Sequence, residues 1–195
     1  MELPIELKNA IESELEGIDI KQLKKDSENI SLRYRNESGR GRRLLTENTE
    51  AISYSMVRMP ATYAAIYSAL KNTLDIFNDE IKSVLDAGAG TGAGSWAANE
   101  LLNLEQITCL EREDAMIKLG KTLMMNSNDE CLKNAEWKQI DLDKDEINEK
   151  SDLVICSYVL NEMDESTRNK VLDKLWKVTN KVLLIVEPGT PVRIL

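Results

Sequence analysis

The 195-residue chain contains no histidine. Its absence removes a histidine general base, a Ser-His-Asp triad and histidine zinc ligands from the available chemistry. Cysteine is scarce: Cys109, Cys131 and Cys156 stand far apart, and Cys109 and Cys156 lie in apolar runs, so free buried thiols are expected and no metal centre is. No apolar stretch approaches the roughly 18 residues a membrane span needs, and the first residues lack the basic start and apolar core of a secretory signal. Together these absences predict a chain of the reducing cytoplasm with no membrane contact. Positive charge is also short: 25 Lys and Arg against 34 Asp and Glu leave a net charge of −9, so any contact with nucleic acid must be local. Internal repeats and low-complexity tracts are missing as well.

The length suits one main domain with an appendage. Residues 4–35 carry apolar positions at helical spacing (Ile5, Leu7, Ile11, Leu15, then Ile20, Leu23, Ile30), broken near Gly17 and Asp19, which predicts two amphipathic helices. The spacing returns over 49–77 through Ile52, Met56, Met59, Tyr63, Ile66, Leu70 and Leu74, where Pro60 should kink the helix or start a second one. Residues 1–80 thus read as a helical N-terminal extension. Inside it, Arg33, Arg35, Arg40, Arg42 and Arg43, five of the nine arginines, surround two glycines in a connector. Such a segment can order on RNA through phosphate contacts, with Tyr34 free to stack; the plainer alternative is a solvated linker.

From residue 81 the pattern changes. Short apolar runs at 83–86, 107–110, 137–140, 152–156 and 182–186 alternate with helical stretches near 93–103, 114–125 and 165–178. That rhythm predicts an α/β fold with a parallel, doubly wound sheet whose ligand lies at the carboxyl ends of the strands. The first strand runs into Asp86-Ala87-Gly88-Ala89-Gly90-Thr91-Gly92. Glycines there permit positive φ and close approach of a ligand, and the helix that follows aims free N–H groups at it. Gly88-x-Gly90-x-x-Ala93 also fits the dinucleotide fingerprint. Asp86 separates the two cases, because a carboxylate beside a pyrophosphate repels it, whereas S-adenosylmethionine has no phosphate and carries a cationic sulfonium and amine. Glu111, nineteen residues past Gly92, can accept from ribose hydroxyls, and Asp141 from an adenine amino group. Asp86, Gly88, Gly90, Gly92, Glu111, Asp141 and Ser157 are therefore the candidate cofactor residues. The alternative for each acid is to cap the helix that follows.

After the fourth strand come Ser157-Tyr158-Val159-Leu160-Asn161-Glu162. Tyr158 can stack on a base, and Asn161 or Glu162 can bond its edge, so these three are the catalytic candidates. The opposing reading packs Tyr158 under the cofactor and turns 161–164 into the next helix, with Asp164 as its N-cap. The loop has neither an Asn-Pro-Pro-Tyr run nor a Pro-Cys nucleophile, and Cys156 reads as core. Arg58 and Tyr63 are placed in a helical lid over the pocket, and Trp96, Trp137 and Trp176 are expected as packing anchors.

At the glycine turn and its acids the chain resembles class I S-adenosylmethionine-dependent methyltransferases. Four blocks narrow the likeness: Arg58-Met59-Pro60-Ala61-Thr62-Tyr63-Ala64-Ala65, Leu85 to Gly92 with Trp96-Ala97, Asp152 to Glu162, and Val186-Glu187-Pro188-Gly189-Thr190-Pro191. They are similar to signature blocks of the methyltransferase-like assembly factors of the mitochondrial small ribosomal subunit and their bacterial relatives. The resemblance implies a Rossmann-like sheet of order 3-2-1-4-5 over residues 81–195, S-adenosylmethionine as cofactor, and association with small-subunit ribosomal RNA or a ribosomal particle. The leading reading is an S-adenosylmethionine-dependent methyltransferase-like protein that acts on or binds that RNA; a non-catalytic RNA-binding assembly factor and a small-molecule methyltransferase are the alternatives. The family continues beyond the Glu-Pro-Gly-Thr-Pro block into a cysteine cluster, which cannot be carried over to a chain ending at Leu195. The last two strands of the usual sheet are missing too, so the fifth strand is expected as an exposed edge of a truncated or short product.

Overall fold

Residues buried on both faces of a sheet alternate in direction along each strand, and the three central runs do so in the computed structural model, which describes residues 2–16 and 48–189. Strands β1 (Ser83–Ala87), β2 (Gln106–Glu111), β3 (Glu136–Gln139), β4 (Ser151–Ser157) and β5 (Thr179–Val186) form one parallel sheet in the expected order β3-β2-β1-β4-β5. Along β1, Val84 joins one hydrophobic cluster and Leu85 and Ala87 the other. Strand β4 repeats the alternation, with Leu153 and Ile155 on the first face and Val154 and Cys156 on the second. The order reverses on either side of β1, so a crevice opens where β1 and β4 end.

The first face is covered by helices α1 (Ile5–Glu14), α2 (Asn48–Val57), α3 (Met59–Leu74), α4 (Ala93–Leu101) and α5 (Asp114–Met125). Leu7, Ile52, Tyr63, Trp96 and Leu123 share its cluster, so the helices before residue 80 pack into the same core as the sheet. Pro60 sits in the first turn of α3, where the backbone N–H it lacks has no intrahelical acceptor to lose. Two elements have too few residues for periodicity to reveal: the one-turn α6 (Glu130–Lys133) and the 3₁₀ turn Leu160–Glu162. The second face is covered by α7 (Glu165–Val178), through Val171, Leu175 and Val178. Asp164 caps α7, its carboxylate accepting the Thr167 N–H at 2.8 Å.

Two expectations change. Trp176 is no packing anchor: it is 69% exposed on the outer side of α7, whereas Trp96 is buried and Trp137 partly buried against the first cluster. Tyr63 lies in the core, and Arg58 beside it is exposed. The helix expected over 20–35 and the arginines at 33–43 lie outside the described residues. Strand β5 is an edge of the sheet among the described residues.

Candidate functional site

Strand β1 ends in the glycine turn, with φ of +72° at Gly88, +57° at Gly90 and +92° at Gly92. All three values favour glycine, and the surroundings give each a separate reason. A Cβ at Gly88 would stand 2.3 Å from Val159 Cγ2, and one at Gly92 would stand 2.5 Å from Met124 Cε. A Cβ at Gly90 would meet nothing within 4 Å. Gly90 is thus the glycine that borders open space.

The turn is stapled to the neighbouring strand. Gly88 N–H and Ala89 N–H both donate to the Leu110 carbonyl, at 2.8 and 2.9 Å, and Gly90 N–H donates to Glu111 Oε2 at 2.8 Å. Glu111 Oε1 also takes the N–H groups of Arg112 and Glu113, at 2.7 and 2.8 Å. Burial pushes the Glu111 carboxyl upward against these three donors, which pull it down. Two carboxylate oxygens offer about four lone-pair sites, so one remains.

A small open cleft lies between this turn and the first turn of α3. Gly88, Ala89, Gly90, Thr91 and Ala93 form one wall, Met59 and Thr62 the other, and Ser157 at the tip of β4 closes the end. Thr91 joins the walls: its hydroxyl donates to Met59 Sδ at 3.4 Å and accepts from Ser55 Oγ at 3.2 Å. The helical cover expected from Arg58 and Tyr63 is therefore supplied by Met59 and Thr62.

Of the candidate cofactor residues, Gly88, Gly90 and Ser157 wall this cleft, whereas Asp86, Gly92, Glu111 and Asp141 do not. The pleat turns Asp86 toward α4, where Oδ2 accepts both Ser95 N–H (2.8 Å) and Ser95 Oγ–H (2.9 Å). Its Oδ1 is buried without a partner among the described residues. Burial raises this carboxyl to about 6, against the two Ser95 bonds that favour the charged form. A Cβ at Gly94 would come within 2.8 and 2.9 Å of the Asp86 oxygens, so glycine there lets α4 descend onto the acid. Asp141 tightens its own turn, with Oδ1 taking the Asp143 N–H at 3.2 Å and Oδ2 pairing with Lys144 at 2.8 Å. Burial alone would raise Asp141; Lys144 and the Asp143 N–H hold it below the ordinary carboxylate range.

The segment after β4 roofs the turn. Tyr158 has φ +57°, a left-handed conformation that is strained for a tyrosine, and its N–H donates to the Val186 carbonyl at 2.8 Å. Val159 then leans on Gly88. Glu187 Oε1 accepts the N–H groups of Val159 (3.2 Å) and Leu160 (2.9 Å), and its Oε2 accepts that of Asn161 (3.3 Å). Asn161 is exposed, while Glu162 is partly buried. Burial lifts Glu162 to about 7; Arg112 pulls it back, and Glu111 and Glu187 push it further up. Cys109 and Cys156 are buried with thiols pushed up by desolvation, the opposite of an activated nucleophile. Among the described residues no group of His, Cys, Asp and Glu can hold a metal ion.

Sequence reasoning missed Met59, Thr62 and Thr91 as cleft residues, Gly94 and Ser95 as the seat of Asp86, and Glu187 as the partner of the β4 loop. Met59, Thr62 and Glu187 were each inside a signature block, which was the available signal; the blocks carried no statement of what the residues touch.

Residues 48–194 match the family described as mitochondrial small ribosomal subunit Rsm22. The chain belongs to the Rsm22 family. The resemblance read from the four blocks is borne out, and a curated relative agrees: the human "Ribosome assembly protein METTL17, mitochondrial" is 26% identical over 153 residues, covering 73% of this chain and 33% of the relative. The Rsm22-family chain thus spans about a third of that protein. Solved structures establish the fold. A chain of the DhpI-SAM-HEP complex superposes with a TM-score of 0.57 at 19% identity, covering 75% of this chain and 64% of its own. An S-adenosylmethionine-dependent methyltransferase from Clostridium acetobutylicum does so with a TM-score of 0.58 at 15% identity, covering 69% and 54%. The Rossmann-like methyltransferase fold expected for this chain is the one it has. The expected cytoplasmic location is overturned, because the family and the human relative are both described as mitochondrial. Among the described residues no helix is long and apolar enough to cross a membrane.

Proposed function

We propose that this chain is a methyltransferase-like ribosome assembly factor that binds S-adenosylmethionine at the glycine turn and engages small-subunit ribosomal RNA. The ribosomal part is supported by membership of the Rsm22 family and the human assembly protein it resembles. The observation that carries the cofactor part is the open space at Gly90 beside Glu111, at the switch point of a methyltransferase-like sheet. The residues support such a ligand: Gly88, Gly90 and Ser157 border the cleft, and Glu111, bonded to the Gly90 N–H from outside the cleft wall, keeps an acceptor site suited to a ribose hydroxyl. When bound, S-adenosylmethionine supplies an electrophilic methyl group. Gly92, Asp86 and Asp141 support the site indirectly, by shaping the turn, seating α4 and closing the turn after β3. Arg33, Arg35, Arg40, Arg42 and Arg43 are proposed to contact RNA phosphates.

A second reading adds methyl transfer to RNA, and Glu162 favours it. A carboxyl held near 7 beside the cleft-roofing loop is matched to accepting the proton that a methylated nitrogen releases, with Tyr158 and Asn161 on the same loop to orient the acceptor.

The test has two arms. S-adenosylmethionine should raise the melting temperature of the wild type and do so much less in Gly90→Val and Glu111→Ala; equal shifts would remove the cofactor. Replacing Arg40, Arg42 and Arg43 with alanine should weaken binding to small-subunit RNA and flatten its salt dependence; unchanged binding would remove that patch. Transfer of labelled methyl from the donor to isolated small-subunit RNA separates the enzyme from the assembly factor.

A further inference from the structure

The backbone after β4 closes its own 3₁₀ turn, with the Glu162 and Met163 N–H groups on the Val159 and Leu160 carbonyls and Arg168 Nε on the Leu160 carbonyl, but its leading N–H groups are held from elsewhere. Three consecutive N–H groups, those of Val159, Leu160 and Asn161, end on one carboxylate, that of Glu187, the residue that follows β5. Only Tyr158 separates that run from Ser157, which closes the cleft, and Tyr158 is strained. Val159 packs directly over Gly88. A strained residue persists only where its surroundings over-determine it. Here those surroundings include the Val186 carbonyl on the Tyr158 N–H and the Glu187 carboxylate on the next three, beside the Arg168 bond to the Leu160 carbonyl.

From this arrangement we infer that Glu187 is a positioning residue, a latch that holds the Tyr158–Glu162 loop down on the glycine turn and so sets how readily the S-adenosylmethionine cleft opens and closes. The inference rests on the cofactor reading above. It assigns Glu187 no contact with cofactor or acceptor: it acts through the loop. A carboxylate suits the task because charge-assisted bonds to N–H groups are short and strong, and two oxygens can serve three donors at once. Glutamine would keep one oxygen for Val159 and Leu160 but would turn an amide N–H₂ toward Asn161 N–H. Alanine would leave all three N–H groups to solvent.

Hydrogen exchange and ligand kinetics on the full chain test this. In ligand-free protein, Glu187→Ala should speed amide exchange at Val159, Leu160 and Asn161 by about tenfold, while the amides of β1 and α4 change little. The same variant should release S-adenosylmethionine about tenfold faster, with Glu187→Gln in between. A purely structural role would lower the melting temperature without the graded change in release rate. Unchanged exchange at the three amides overturns the latch. So does faster exchange with an unaltered release rate, which would leave the loop uncoupled from the cleft. A wild type that binds no S-adenosylmethionine overturns the cofactor reading first and the positioning role with it, whereas wild-type binding with indifferent variants overturns the latch alone. If Glu187→Ala does not fold, Glu187→Gln carries both measurements.

Discussion

The backbone N–H of Gly90 donates to Glu111 Oε2 at 2.8 Å, so the turn that ends β1 is held open by the acid that ends β2. The glycine and the acid, separate marks in the sequence, are two halves of one hydrogen bond. Gly90 has room for a methyl group but an unfavourable φ for one. Gly90→Ala should therefore fold, with a loss of about 1 kcal/mol from the left-handed backbone. Ligand binding should fall far more, because the new methyl occupies the space a ligand needs. Urea unfolding and isothermal titration check the two halves; equal binding by wild type and variant would show that the open space is not where the ligand sits.

Asp86 should give stability a pH dependence of unusual sign. Its folded-state carboxyl titrates at about 6 and its unfolded one near the ordinary 3.8, so between these values the native state holds a proton that the unfolded state has released. Stability from this group therefore rises as pH falls through 6 and is fully lost above it. Between pH 7.5 and pH 5 the wild type should gain about 1 kcal/mol that Asp86→Asn does not. Parallel pH profiles for the two proteins would place the charge of Asp86 elsewhere.

Gly120 is where α5 meets Trp137 on β3. A Cβ there would stand 2.3 Å from the indole ring. Gly120→Ala should thus destabilise by about 1–3 kcal/mol, although the same change in an exposed helix stabilises. Denaturant unfolding gives the size, and a change in tryptophan emission would attribute it to Trp137.

Trp176 gives the opposite case. At 69% exposure it contributes little to the core, so Trp176→Ala should shift stability by less than about 0.5 kcal/mol. A loss of several kcal/mol on urea unfolding would mean that the outer side of α7 is covered.

The sheet was legible because its strands are short apolar runs separated by helices, and burial on both faces forces that pattern in any parallel sheet. The glycine turn was legible for a related reason: positive φ narrows the choice of residue. Side-chain direction was not. Asp86 lies one residue from Leu85 and Ala87, yet the pleat sends it to the opposite face, under α4, where it seats Ser95 instead of walling the cleft. Trp176 misled because apolar character alone does not say which side of a helix a residue takes; its neighbours Leu175 and Lys177 already divide the inner side of α7 from the outer. Glu187 escaped because its three partners stand more than twenty residues upstream, and a contact of that range leaves no local spacing to read.

The parallel order of the sheet also sets a schedule. A chain emerges from the ribosome N-terminus first, so the glycine turn and the helices that flank it are available before β5 has been synthesised. The carboxylate inferred to fasten the roof, Glu187, arrives after the turn it covers. Until Glu187 is in place, the floor of the cleft exists without its closure, so a nascent chain that retained ligand tightly would have to have completed its fifth strand. On the latch inferred for Glu187, tight retention reports that β5 has docked beside β4.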